Sequence, residues 1–377
     1  MRPLADPKAF FDELAALERE VRAELSADDL AHLRRIERIG RACTAAGWAT
    51  SVFGPNLVSA LLLAQGRTTR WATVAHHISH GGYNRAPGVP ERYTSRGFAK
   101  GFRRAIDWFD IIRPDGWHAE HNVLHHGNTG DEADPDVVIN NVAWLRDAPW
   151  PLAVKVAVVG VLASTWKWTY YTPNTLQEAF AADAKAEGRV DERLSLFDRR
   201  VWDPRHPKGR VLWMESFLPY AGAQFVLIPC LFLPFGVNAV AGAAVNSLVA
   251  EWITNLHTFA IITTNHAGDD VPQFAGPAAS REEFVLRQIT GSVNHTTGGD
   301  LNDLLHGWLN YQIEHHVWPD MTLLQYRSAQ PRLKALCEKH GVPYVQESLG
   351  TRLKKTVKTM VGAGGTLAAA NPELLPA

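Results

Sequence analysis

The sequence predicts an all-α fold: a polytopic membrane protein in which a few transmembrane helices are capped by a cytoplasmic helical domain that holds a histidine-rich metal site. Three observations predict it. Apolar runs at 44–65, 151–171, 211–236 and 237–262 carry few charges or none, and about 20 such residues cross a hydrocarbon core. Charged stretches separate some of them, above all 181–210, which belongs in water. Eleven of the sixteen histidines lie in or beside three clusters, at 76–80, 118–126 and 295–316. That distribution is a metal site's. The chain divides into a charged helical segment at 1–41, a membrane domain with its cap at 42–344, and a tail at 345–377.

Composition excludes some classes. The net charge is −1 and hydrophobic residues make up 46%, so no basic stripe marks a nucleic-acid binder. Cys43, Cys230 and Cys337 are scattered, with no CxxC pair, which predicts a reducing, cytoplasm-facing location rather than a disulfide framework. Thirteen tryptophans, many beside apolar runs, read as interfacial belts or as core aromatics.

Ser26-Ala27-Asp28-Asp29 is a helix start ahead of LAHLRRIERIGR. Arg2 is followed by no apolar segment, so no signal peptide is expected. Arg34, Arg35, Arg38 and Arg41 precede the first apolar run and hold that end in the cytoplasm, or else form a solvated helix face. The run 44–65 is interrupted by Gly54-Pro55, so it is either a kinked hairpin or a single crossing. His76 and His80 follow it, four apart, as are His121 and His125. Such pairs share one helix face and can grip a common ion. The doublets His125-His126 and His315-His316 add a neighbour on the adjacent face, so each doublet can serve two metals side by side. One zinc takes about four ligands and this set offers roughly twice that, which points to two metals. Imidazole alone does not name the ion.

His118, His121 and His125 repeat along one helical stripe, so His118 is a ligand or a buried neighbour. Asp131, Glu132, Asp134 and Asp136 come next, and carboxylates beside ligating imidazoles commonly accept their second N–H. If the second and third clusters share one site, an even number of the three later apolar runs must cross. Leu233-Pro234-Phe235-Gly236 joins the last two as a hairpin, so the first is expected to lie in the interface, with Lys155 and Lys167 as snorkelling charges. Asn246, Glu251, Asn255 and His257 in the last run are polar groups at membrane depth. Gln312 lies three before His315 and four before His316, on one face with both. The tail from Thr351 carries Arg352, Lys354, Lys355 and Lys358, to rest on anionic lipid or to be a disordered end.

In order, the clusters read HxxxH, HxxxHH and QIEHH, with HNVLHHGNTGDEADPD around the second and LNYQIEHHVWPDM around the third. This set resembles the membrane fatty-acid desaturases. Its QIEHH-then-proline form is most similar to their front-end acyl-lipid and sphingolipid branch, over about Gly40 to Tyr344 and including KALCEKHGVPY. The resemblance implies two iron ions at the cytoplasmic membrane face, dioxygen as co-substrate, a fatty-acyl lipid substrate, and a cis double bond and water as products. It implies ligation by His76, His80, His121, His125, His126, His266, His315 and His316. Gln312, Asn122, Asp134, Asp136, His77 and His118 are then supporting residues or possible ligands. His206-Pro207-Lys208-Gly209 matches the haem motif of cytochrome b5 only in part, so electrons are expected from a separate ferredoxin or cytochrome b5 with its reductase. A lipid hydroxylase on the same scaffold is the near alternative. A zinc-binding or proton-relay membrane protein is the distant one.

Overall fold

The computed structural model describes residues 4–364. Among them every regular element is helical, and the only extended pairings are two isolated bridges, Asp131 with Phe274 and Asn294 with Gln346.

Helix α1, Pro7–Ala23, and helix α2, Ala27–Thr50, open the chain. Ser26 caps α2, accepting from Asp28 N while Asp29 accepts from Ser26 N, which satisfies donors the first turn would leave bare. The helix then runs unbroken through Arg34–Arg41 into the apolar segment, so the boundary expected at 41/42 falls inside one helix. Gly54, at φ 92°, turns the chain back into α3, Leu57–Thr68. The run 44–65 is therefore a kinked hairpin, whose first limb begins inside the charged helix. Its limbs touch closely, because a Cβ on Gly66 would stand 2.9 Å from Gly40 O.

α3 passes through a π-helical segment, Thr69–Ala75, into the short helix His76–Ser79. Two longer runs are apolar enough to cross a membrane, Leu152–Ala186 of 35 residues and Arg199–Phe235 of 37. The first comprises α4, Leu152–Trp166, a π turn and α5, Thr172–Ala186. Two bonds tie it to earlier parts of the chain: Lys155 donates to Arg146 O, and the Tyr171 hydroxyl donates to Glu120 at 3.0 Å. Lys155 and Lys167 do not snorkel. Lys167 is 1% exposed, paired with Asp110 at 2.7 Å and placed over the Trp71 ring.

Helix α6, Val237–Ile262, packs against the hairpin tip and α4. Its polar residues, which dilute its apolarity, all find protein partners. Asn246 Oδ1 accepts from Asn56 N, Asn255 Oδ1 accepts from Lys167 N, and His257 Nε2 meets Leu305 O at 2.7 Å. Glu251 pairs with buried Arg67 at 3.1 Å, and Arg67 also donates to Gln224 and Ser247. A buried charge left single is costly, so these groups rivet helices to one another rather than open a path.

Helix α7, Leu323–His340, carries α1 on its flank through Arg332 with Glu24 and Lys339 with Glu13, and Arg22 clamps Asp320 just before it. Helix α8, Leu349–Met360, corrects the expectation of a lipid-resting or disordered tail. Arg352 is wholly buried, donates to Thr264 O and Ala267 O, and pairs with Asp270 at 2.7 Å. The remainder of the tail, 365–377, lies outside the described residues. Trp71, Trp108, Trp117 and Trp308 are fully buried, so much of the tryptophan load is core and not belt.

Where α6 crosses the hairpin turn, a Cβ on Gly242 would sit 2.5 Å from Gly54 Cα. Gly242→Val should therefore cost about 1–3 kcal/mol by overpacking. Thermal unfolding in detergent measures it, and an unchanged midpoint would show that the contact is looser than drawn.

Candidate metal centre

Four separate stretches bring the histidines together. α3 and its π segment deliver His76 and His80; the π helix His118–His125 and the turn after it deliver His121, His125 and His126. The end of α6 delivers His266, and the helix Gln312–Val317 delivers His315 and His316.

Two groups result. The donor atoms of His76, His80, His121, His126 and His315 all lie within 4.8 Å of one another, and so do those of His125, His266 and His316. Each doublet is split between the groups, and the rings of His126 and His316 stack at 4.3 Å where they meet. Gln312 lies beside the second group, its Nε2 donating to His266 Nε2 at 2.9 Å while its Oε1 accepts from Asn265 Nδ2 at 3.1 Å.

The expected pair His121 and His125 stays within 4.8 Å, but each also reaches a different group. π-helical bonding runs from i to i+5, so His121 shares the larger group with His126, five residues on, while His125 turns to His266 and His316. The same winding leaves His118 exposed and outside both groups. His121 also remains within 4.8 Å of His125 and Asp136.

Four of the rings are anchored through Nδ1, whereas the Nδ1 atoms of His76, His121 and His126 have no hydrogen-bond partner. His125 Nδ1 donates to Asp134 at 2.9 Å, His266 Nδ1 to Gly291 O at 3.0 Å, His315 Nδ1 to the Tyr326 oxygen at 3.2 Å, and His316 Nδ1 to Gln288 Oε1 at 3.0 Å. Each such bond fixes the tautomer and aims a bare Nε2 inward. His76 Nε2 then stands 3.0 Å from both His121 Nε2 and His315 Nε2, while the Nε2 atoms of His80, His126 and His316 are buried without any partner. Buried polar atoms are ordinarily satisfied, so this donor set fits metal ions.

Electrostatics agrees. Burial, with the neighbouring imidazoles, holds His121, His126, His315 and His316 well below the usual histidine range, and holds His266 at about 3. Burial depresses His125 too, but Asp134 outweighs it and the net direction is upward. Neutral imidazole is the ligating form.

A cavity of about 650 Å³ opens on both groups, lined by His76, His121, His125, His266 and Gln312 and otherwise walled mainly by apolar side chains. The family model described as fatty acid desaturase matches residues 48–348. The chain belongs to the fatty acid desaturase family. An NADPH-dependent stearoyl-CoA 9-desaturase of Mycobacterium tuberculosis is 23% identical over 94% of this chain and 79% of its own length. An sn-1 linoleoyl-lipid 6-desaturase of Arthrospira platensis is 23% identical over 79% and 76%. An acyl-lipid (9-3)-desaturase of Physcomitrium patens is 32% identical over 65% of this chain and 43% of its own.

The other residues singled out from the sequence are spread around the groups. Asn122 donates to Ser79 O at 3.1 Å, tying the second box to the first. His77 Nδ1 meets Thr73 O at 2.7 Å and the ring stays outside both groups. Asp136 stands 4.0 Å from His125 Nδ1, its carboxyl pushed to about 6 by burial. Glu314, inside QIEHH, faces away and accepts from Asn294 and Tyr344.

Sequence reasoning missed Glu120, Gln288, Tyr326 and Asp303. Glu120 is fully buried behind His121, and burial with nearby Asp136 raises its carboxyl well above the usual range. Asp303, also fully buried, takes Asn310 Nδ2, the Tyr311 hydroxyl and Arg327, and so sets the approach to the third box. Only Glu120 carried a signal, as an acid directly beside a predicted ligand.

Asp134→Asn keeps the shape and weakens the acceptor behind His125. It should lower metal affinity about ten- to a hundredfold, read by chelator competition; wild-type affinity would remove Asp134 from that role.

Proposed function

We propose that this chain is a dioxygen-dependent fatty-acyl lipid desaturase that introduces a cis double bond at a histidine-held pair of irons. The observation that carries the reading is the pair of histidine groups sharing one apolar cavity. His76, His80, His121, His126 and His315 hold one ion; His125, His266 and His316, with Gln312 beside them, hold the other. Bound iron with dioxygen supplies the oxidising power to take hydrogen from an unactivated C–H bond, which no side chain has.

The protein's own part is placement. Trp166, Phe259, Ile262 and Leu309 line the same cavity as the histidines and give methylenes an apolar wall. Asp134, Gln288, Tyr326 and Gly291 O hold the rings in register, so the metals keep their spacing through turnover. Electrons come from a separate donor protein.

We also infer the membrane arrangement. Phe53, 85% exposed, together with Leu57, Leu231, Phe235 and Val237, makes an exposed apolar end around the two hairpin turns, and the hairpin limbs and α6 run from it toward the histidines. This end enters the bilayer, and the histidines sit at its cytoplasmic face. The run Leu152–Ala186, held at both flanks by the cap, lies along that face.

Expression in a host followed by lipid mass spectrometry tests the reaction. A product lighter by two hydrogens is expected, whereas one heavier by an oxygen identifies a hydroxylase. Purified protein should carry about two irons, and a single zinc would rule the enzyme out. His121→Ala and His315→Ala should each abolish the product with the protein still in the membrane, and full activity in either overturns the ligand assignment.

A further inference from the structure

We propose that Asn174, with Gln177 one turn along α5, hydrogen-bonds the carbonyl oxygen of the acyl substrate and so sets how many methylenes separate that carbonyl from the reacting carbons; this rests on the desaturase reading above. Most of the cavity wall is apolar, yet α5 brings two carboxamides to it. Asn174 is 4% exposed. Its Oδ1 accepts from Arg193 Nη2 at 3.0 Å, while its Nδ2 is buried with no partner. Gln177 is equally buried, and its Oε1 accepts from Leu194 N at 2.7 Å. In both amides the acceptor is already used, so what they offer a ligand is N–H.

A purely hydrocarbon occupant would leave the Asn174 donor unpaired. An acyl chain carries one strong acceptor, its carbonyl oxygen, and that group is common to esters, thioesters and amides. Arg193 on the same wall is already paired with Glu178 at 2.9 Å, so this part of the cavity recognises a dipole and not a free anion.

Position supplies the measuring function. Tyr171 donates to Glu120, the residue before His121, and Asn174 lies three residues further, a rise of about 4.5 Å along the helix. A carbonyl held there is set at a fixed position relative to the second box, because Tyr171 ties the same helical run to Glu120. The double bond is then counted from the carboxyl end.

Asn174→Leu removes the donor; Asn174→Asp keeps the shape and the Arg193 contact while removing the N–H. Each is assayed as full-length protein on phospholipid vesicles and on acyl-CoA, reading double-bond position, KM, kcat and bound metal. With whichever carrier the wild type accepts, both variants should give mixed bond positions and a KM raised about tenfold, the loss expected of one buried hydrogen bond, with metal content unchanged. A single bond position at wild-type KM in both variants overturns the proposal. If Asn174→Leu fails to retain metal, Asn174→Asp carries the same two outcomes; metal loss in both also overturns it, because a residue that meets only substrate does not hold the ions. A wild type that makes no double bond on either carrier sinks the desaturase reading itself, a result distinct from any variant outcome.

Discussion

The molecule depends on one electrostatic constraint: imidazole nitrogens with inward lone pairs are packed a few ångströms apart in a dry interior. His76 Nε2 at 3.0 Å from two other Nε2 atoms has no stable partner unless a proton or a cation lies between them. Burial forbids charging all of these rings by protonation, since clustered imidazolium ions would repel in a low dielectric. Metal ions would resolve the conflict, and the binding free energy of such ligands would be coupled to folding. The rest of the fold is arranged to hold this crowd together. The hairpin of α2 and α3 aims the first box, Asp303 steers the third, and Arg352 pins the loop that bears His266 by gripping carbonyls on both of its sides.

The metal site was legible from residue type and spacing because imidazoles leave a one-dimensional trace. Which rings converge was readable from three boxes in order, His266 came only from the family resemblance, and the doublets already implied two neighbouring groups. How His121 divides between its neighbours was not readable. Assigning His121 to His126 requires knowing that the second box winds as a π helix, a distinction of one residue per turn that no periodicity argument at 3.6 resolves. Gln288 and Tyr326 left no trace at all. Each is a single ordinary residue far along the chain, whose role exists only once the fold sets it behind a ring.

The fold class was legible for a coarser reason, since apolar runs and charged breaks segregate by solvent. Its errors came from treating charges as if each had to find water. Lys167 and Arg352 are buried because a carboxylate or carbonyl waits in the core, and such long-range pairings leave no local signal. The hairpin was hard to fit into the apolar run alone because α2 draws part of its length from the charged segment that carries the arginines.

Geometry joins these observations at the cavity. Residues from both histidine groups line it: His76 and His121 from the first, His125 and His266 from the second. A substrate there meets the pair from one side, with one helical run, Leu152–Ala186, forming much of the opposite wall. That run combines opposed chemical demands. Leu162 and Trp166 give it an apolar face for methylenes, and Tyr171 anchors it to Glu120 behind the metals. Asn174 and Gln177 then offer N–H groups where the hydrocarbon must end. In the proposed arrangement the Tyr171 contact with Glu120 fixes this run against the second box, so the carboxamides further along the helix stand at a set rise from it.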